Sequence, residues 1–243
     1  MRFNQEIRSS FIFVILLFFK NLYLRFFPKS SYSQESEDLI MRNWLPENSG
    51  IYFDIGSGLP IWGSNTYLFY RVGWRGTCID ALSTNIQLAR RIRPADTSVH
   101  ALVGDTSGQV KFWEFDSYEY STAIESQANL IMQSDRFLTG EIRLVGIREL
   151  DMVNINSFLS SCSPNDASLL SLDIEGFDFS LLKIVDWSRF RPRVVCVEDS
   201  GSLSIERDTE IQEFLSELSY FRVATTPLSS IYVARDYLTT AHL

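Results

Sequence analysis

The sequence predicts an α/β domain: a mostly parallel sheet with helices on both faces, closed by an antiparallel C-terminal strand pair. Three observations carry this. From residue 50 onward, apolar strand-like runs alternate with amphipathic helical runs. Glycine, proline or a helix-opening hydroxyl punctuates the alternation. The last two apolar runs are joined by a short turn at Pro227, too short for a crossover.

The elements follow in order. "GIYFDIG" (Gly50–Gly56) reads as the first strand. Ser64–Gly73 reads as a helix with Ser64 as its N-cap and Gly73 at its stop. Gly76–Ala81 is the second strand, and Ser83–Pro94 is a helix opened by Ser83 or Thr84 and ended before Pro94. Ser98–Gly104 is the third strand. This β-α-β-α-β rhythm implies parallel strands with right-handed crossovers. Gly108–Asp116 and Glu141–Leu150 read as extended pieces, with Ser117–Gly140 between them as an excursion or lid. Asn154–Cys162 is a helix, Ala167–Gly176 holds a strand, Phe179–Val185 is a short helix and Arg193–Ser200 a strand. Asp208–Ser219 places Ile211, Phe214, Leu215 and Leu218 on one helical face. Tyr220–Thr226 and Ser230–Asp236 close the chain as strands.

Composition narrows the class. The 243 residues are 45% hydrophobic and 21% charged, which suits one globular domain, assigned here to residues 31–243. A net charge of −8 disfavours a nucleic-acid partner, because phosphate contacts need clustered Lys and Arg. Cys78, Cys162 and Cys196 form no CxxC pair and read as reduced thiols of a cytoplasmic protein, not zinc ligands. Residues 1–30 stand apart. The uncharged run Phe11–Phe19 is shorter than the roughly 20 residues of a spanning helix. Its aromatics, with Arg8, Lys20 and Arg25, suit a helix lying in a membrane interface over residues 8–27, at the cytoplasmic face. A signal peptide is the weaker reading, for want of a small-residue cleavage site.

The acids carry the chemistry. Asp54 lies near the end of the first strand, Asp80 ends the second and Asp105 follows the third. Asp173 and Glu175 end the next, and Glu198 and Asp199 the one after. In an open parallel sheet, ligands bind outside the carboxyl ends of the strands, so this edge is the expected site. A dinucleotide fingerprint fails there: Gly56-Ser57-Gly58 lacks a glycine at the third position. An acid at the turn would repel a pyrophosphate and favour a cationic ligand. S-adenosylmethionine carries a sulfonium and an ammonium and no phosphate. Asp80, 22 positions after Gly58, is placed to accept from ribose hydroxyls.

At this point the sequence resembles the FkbM-type methyltransferases. The resemblance runs through "YSQESEDLI" (Tyr32–Ile40), "YFDIGSGLPIWGSNTYLFYRVGWRGTCIDA" (Tyr52–Ala81), "ALVGDTSGQVKFWEF" (Ala101–Phe115), "YSTAI" (Tyr120–Ile124), "SLDIEGFDFSLLKIVDWSRFRPRVVCVE" (Ser171–Glu198) and "IYVARD" (Ile231–Asp236). "SGLPIWGSN" departs from the small, polar stretch expected after the motif glycine. The resemblance implies a Rossmann-like class I methyltransferase fold and S-adenosylmethionine as cofactor. It implies O-methylation of a hydroxyl on a sugar, another glycoconjugate or a polyketide, here read as a carbohydrate or glycolipid acceptor. Asp54, Gly56, Ser57, Gly58, Asn65, Asp80, Ala81 and Asp105 are then the cofactor-side candidates, and Ser121 and Thr122 would face the acceptor.

An alcohol must lose its proton to be methylated, to a base or with help from a metal. His100 reads as a packed strand residue and His242 as a frayed end, which leaves carboxylates. Asp173, Glu175 and Glu198 are the catalytic candidates. Either they act directly as base, or Asp173 and Glu198, with Glu175 or Asp199, hold a magnesium or manganese ion, as acids at such strand ends do in catechol-type enzymes. Glu175 and Asp178 have a plainer reading as caps of the following helix. Ser33, Gln34, Glu37 and Asp38 either fold over the site or belong to a solvated helix with Leu39, Ile40 and Trp44 inward. Trp74, Trp113 and Trp187 read as core, and Arg90, Arg91 and Arg93 as a solvated helix face. The alternative function is a catalytically silent relative serving as a binding module at the membrane.

Overall fold

The computed structural model describes residues 31–117, 120–160, 167–174, 176–199 and 205–238, with the isolated positions Ile15, Phe19 and Leu22. The interfacial helix read over residues 8–27, and the candidates Cys162, Glu175 and His242, otherwise lie outside the described residues. No described helix is long and apolar enough to cross a membrane.

In chain order the elements are α1 (Glu37–Trp44), β1 (Ile51–Ile55), α2 (Tyr67–Arg71), β2 (Arg75–Asp80), α3 (Ser83–Ile92), β3 (Thr97–His100), β4 (Leu102–Gly104), β5 (Gly108–Phe115), α4 (Glu125–Gln133), α5 (Asp135–Leu138), β6 (Leu144–Asn154), α6 (Ile155–Leu159), β7 (Ala167–Leu172), α7 (Asp178–Ile184), β8 (Val194–Glu198), α8 (Ile205–Glu217), β9 (Tyr220–Thr225), β10 (Ser229–Ala234) and α9 (Arg235–Leu238). Seven strands form one sheet in the order β3-β2-β1-β7-β8-β10-β9. β3 to β8 are mutually parallel along that order, while β10 runs antiparallel to both β8 and β9. The order reverses between β1 and β7, so the switch point is the crevice at the end of β1.

Two cores cover the two faces. On one, Phe53, Ile55, Leu170, Leu172, Val195 and Val197 pack against Leu181 and Leu182 of α7 and Ile211 and Leu215 of α8. On the other, Tyr52, Cys78, Leu169, Val194, Cys196 and Ile231 pack against Met41 and Leu45 at the N-terminal helix and Phe69 and Trp74 around α2. Trp74, Trp113 and Trp187 are all buried, as expected of core.

Several local readings change. Ser98–Gly104 is not one strand: the chain breaks at Ala101, leaving β3 in the main sheet and β4 in a second, three-stranded sheet ordered β4-β6-β5. His100 ends β3 exposed, its Nε2 3.0 Å from the Ala81 carbonyl oxygen, so it is not a packed strand residue. The Ser117–Gly140 excursion contains α4 and α5, which pack through Ala128, Ile131 and Phe137 on Trp113 and Phe115 of the second sheet and on Ile142 just before β6. The helix after β1 starts only at Tyr67, because the Ser64 hydroxyl accepts from the Thr66 and Tyr67 N–H groups in a turn before it. The next helix is preceded by Leu82, with no side-chain cap, rather than opened by a hydroxyl.

Candidate active site at the strand ends

The glycine turn is built by backbone. Gly56 N and Ser57 N donate to the Ile79 carbonyl at 2.9 and 3.1 Å, tying the turn to β2. Gly56 has φ 75°, in the left-handed region open to glycine. A Cβ there would sit 1.7 Å from the Asp173 carbonyl oxygen, so the β1 turn and the end of β7 meet with no room for a side chain. At Gly58 a Cβ would meet nothing within 4 Å, which leaves open space beside the turn. The Ser57 side chain is buried at 8% exposure, yet its Oγ has no hydrogen-bond partner. A buried hydroxyl without a partner is costly and rare in a folded protein.

Asp80 lies beside that turn. Its Oδ2 accepts from Gly58 N at 2.8 Å and its Oδ1 from Leu82 N at 2.7 Å. The Asn85 amide lies 3.2 Å from both oxygens. Burial pushes its carboxyl up to about 6, against the hydrogen bonds that favour the ion. Ala81 follows at half-burial.

Asp54 points elsewhere, into a buried polar network. The Thr66 hydroxyl donates to it, and the Arg93 guanidinium lies 3.9 Å away. Arg93 also donates to Thr66 Oγ1 at 2.8 Å, to the Tyr52 hydroxyl at 2.6 Å and to Asp96 at 2.8 Å. At 1% exposure Arg93 is not on a solvated face, although Arg90 and Arg91 are. It sits at the C-cap of α3, with φ −121° and ψ 58°, where the backbone leaves the helix and turns the side chain inward. Burial raises the Asp54 carboxyl above its usual range, and Arg93 opposes the rise.

The sheet register places the other candidates. Cys78, Asp54, Ser171, Cys196 and Ile231 are cross-strand neighbours in one row. Side chains alternate along a strand, so this row shares one face, and the next row on that face falls at the strand ends. There stand Asp80, Gly56, Asp173, Glu198 and Ser229, the last two paired directly. Asn65 lies over the first row, its amide 3.3 Å from Ser171 Oγ and 3.9 Å from Cys196 Sγ. Asp173 and Glu198 are half-buried, and Asp199 is buried with its N–H on the Leu228 carbonyl. Asp105 is exposed and follows β4, so it lies at the second sheet and not at the end of a main-sheet strand.

Asp178 is not the helix cap expected of it: it is the first residue of α7, whose N-cap position is Phe177 with no side-chain capping bond. It is buried, and its two oxygens accept from Ile174 N at 2.9 Å and Gly176 N at 3.0 Å, so it shapes the loop that follows Asp173. Burial, with some repulsion from Glu198, pushes it up to about 7. Its signal in the sequence was an acid two residues after a loop glycine. Ser121 and Thr122 brace the second sheet: Ser121 Oγ accepts from Phe115 N at 3.0 Å, and Thr122 pairs with Trp113. Among the described residues, no group of three or more His, Cys, Asp or Glu is gathered so as to hold a metal ion. Glu175, the remaining acid of the expected magnesium or manganese set with Asp173, Glu198 and Asp199, lies outside those residues.

A sheet ordered in this way, with one antiparallel strand inserted beside the last parallel one and a glycine turn at the switch point, is a Rossmann-like methyltransferase fold. The methyltransferase FkbM domain matches residues 52–228, and the chain belongs to that family. It is therefore a methyltransferase by family. A crystal structure of a methyltransferase from Geobacter sulfurreducens aligns with 91% of this chain and 88% of its own, at 11% identity and a TM-score of 0.43. No curated protein matches the chain.

Proposed function

We propose that the protein transfers a methyl group from S-adenosylmethionine to a hydroxyl of a sugar in a polysaccharide or glycolipid. The observation that carries the cofactor is the partnerless Ser57 hydroxyl, buried in a glycine turn at the switch point beside Asp80. The residues fit the group: Gly58 leaves space next to the turn, and ribose hydroxyls can replace the Asn85 amide on Asp80. In the apolar insertion after the glycines, Ile61 packs inward and Trp62 is 48% exposed. Ile61 is fully buried among Tyr32, Tyr67 and Ile92, so the insertion anchors the loop from below. That observation disfavours the silent-module reading. The sugar acceptor rests on the resemblance, and a membrane-proximal enzyme would suit a glycolipid.

When bound, the cofactor supplies an electrophilic methyl carbon on a sulfonium. The chain's part is positional and electrostatic. Asp80 and the Gly56–Gly58 turn hold the nucleoside end over β2 and β1. Asp173 and Glu198, half-buried at the ends of β7 and β8, border the far side where the acceptor would enter.

The test is thermal unfolding of the full chain with S-adenosylhomocysteine, S-adenosylmethionine or NAD. A ligand at 100 times its dissociation constant adds roughly 2.7 kcal/mol. The midpoint should rise with the two sulfur cofactors, and the rise should vanish in Asp80→Ala. A folded wild type that responds to neither overturns the cofactor reading, and a response to NAD alone replaces it.

A further inference from the structure

Glu37 opens α1 and is 1% exposed. One carboxylate oxygen accepts from the Thr226 hydroxyl at 2.8 Å and the other from Glu35 N at 2.9 Å. Among the described residues no Lys or Arg pairs with it. Its neighbour Asp38 has an evident structural role: it gathers Ser31, Tyr32, Ser33 and Leu39 as four donors within 3.0 Å. Glu37 has two neutral donors and no cation, an expensive arrangement for a buried carboxylate. This changes part of the solvated-helix reading of the segment: Glu37, Asp38 and Met41 are buried and Leu39 is 37% exposed, while Ile40 and Trp44 pack on the core as expected.

Its place in the fold gives that charge a use. Thr226 lies in the turn before β10, whose first residue, Ser229, pairs with Glu198 at the end of β8. Burial pushes the Cys196 thiol up and the charges of Glu37 and Asp173 add to the rise, while the Asn65 amide lies 3.9 Å from its sulfur. Ser36, just before Glu37, has φ 71°, an unusual value for a residue other than glycine. If the nucleoside lies over Asp80 on β2 and crosses Gly56 on β1, the reacting end emerges toward β7 and β8. Neighbouring strands lie about 4.8 Å apart, so β8 is about 10 Å beyond β1. The helix that Glu37 opens, α1, packs on β8 and β10.

We propose, resting on the cofactor reading above, that Glu37 is the acceptor-side catalytic carboxylate, its uncompensated charge facing the sulfonium methyl. As the acceptor oxygen forms its bond to the methyl carbon, the carbon–sulfur bond breaks and its electron pair stays on sulfur, which becomes a neutral thioether. The hydroxyl proton passes to a Glu37 carboxylate oxygen. Atoms and charge balance with no further reactant.

The test needs no acceptor. Titration calorimetry on the full chain compares S-adenosylmethionine, a cation at sulfur, with S-adenosylhomocysteine, which is neutral there. In Glu37→Gln, the preference for the cation should fall by about tenfold, with homocysteine-form binding kept. The melting temperature should hold or rise, because a buried unpaired charge is gone. Glu37→Asp keeps the charge but draws it back by one methylene, so the preference should fall by a few-fold; it serves as the second variant if Glu37→Gln does not fold. An unchanged preference in either variant overturns the assignment. So does a Glu37→Gln protein that melts lower and loses both ligands together, which would make Glu37 structural. A wild type that binds neither ligand instead overturns the cofactor reading beneath it.

Discussion

Replacing Arg93 with Met should cost about 3–5 kcal/mol, the usual effect of removing one partner from a buried ion pair. Arg93 is the one described cation in contact with Asp54 and Asp96, and all three side chains are at most 5% exposed. Methionine keeps most of the length and apolar bulk, so the loss isolates charge and hydrogen bonding. Three bonds of 2.6 to 2.8 Å go, to Tyr52, Thr66 and Asp96. At about 1.5 kcal/mol for a bond to a charged group, they account for a similar total. For a domain with about 5–15 kcal/mol of stability, that is a large fraction. Urea unfolding at pH 7 reads it as a lower midpoint with unchanged slope. Adding Asp54→Asn should return about 1–2 kcal/mol, since the orphaned carboxylate is then gone. Acid should help the single variant too. A buried carboxyl raised above its unfolded value binds its proton more tightly when folded, so its stabilisation grows as pH falls. A loss under about 1 kcal/mol, or no recovery in the double variant, would refute the view that Asp54 is held by Arg93.

Three further outcomes follow from the same geometry. Gly56→Ala should lose about 2–4 kcal/mol in chemical denaturation and all response to S-adenosylhomocysteine, because its Cβ would sit 1.7 Å from the Asp173 carbonyl at φ 75°; wild-type behaviour would mean the two turns are not in contact. Asp80 and Asp178 are held up to about 6 and about 7 by burial, so the stabilisation they give is full below the unfolded carboxyl value and is lost as pH rises through 6 to 7. Unfolding free energy should therefore be about 2–4 kcal/mol higher at pH 5 than at pH 8, with a shallower profile in Asp178→Asn, and a profile that climbs over this range would contradict it. Leu215→Ala, at a fully buried position of α8, should cost about 2–5 kcal/mol by the same denaturation measurement, and a cost below 1 would place that helix off the sheet.

The alternation of strand and helix, and the sidedness of helices such as Asp208–Ser219, could be read along the chain because they depend on local period and punctuation. The buried pair Ile211 and Leu215 lies on the face that the helical period marks. The glycine turn and its neighbour Asp80 were legible for the same reason: a strand end, a positive-φ turn and an acid at fixed spacing are all local features. The break at Ala101 was not legible, since an unbroken run of strand-like residues does not say which sheet will accept each half. Nor were the fates of the charges. Asp54 was legible as an acid near a strand end, but not its ion pair with Arg93, 39 residues later in the sequence at the end of α3. Glu37 could be read as folding over the site or as solvated, and its burial against Thr226, nearly two hundred residues away, was not legible. Periodicity reports which face of an element is apolar. It does not report which distant element covers that face, and burial by that element decides whether a charge is solvated, paired or left bare.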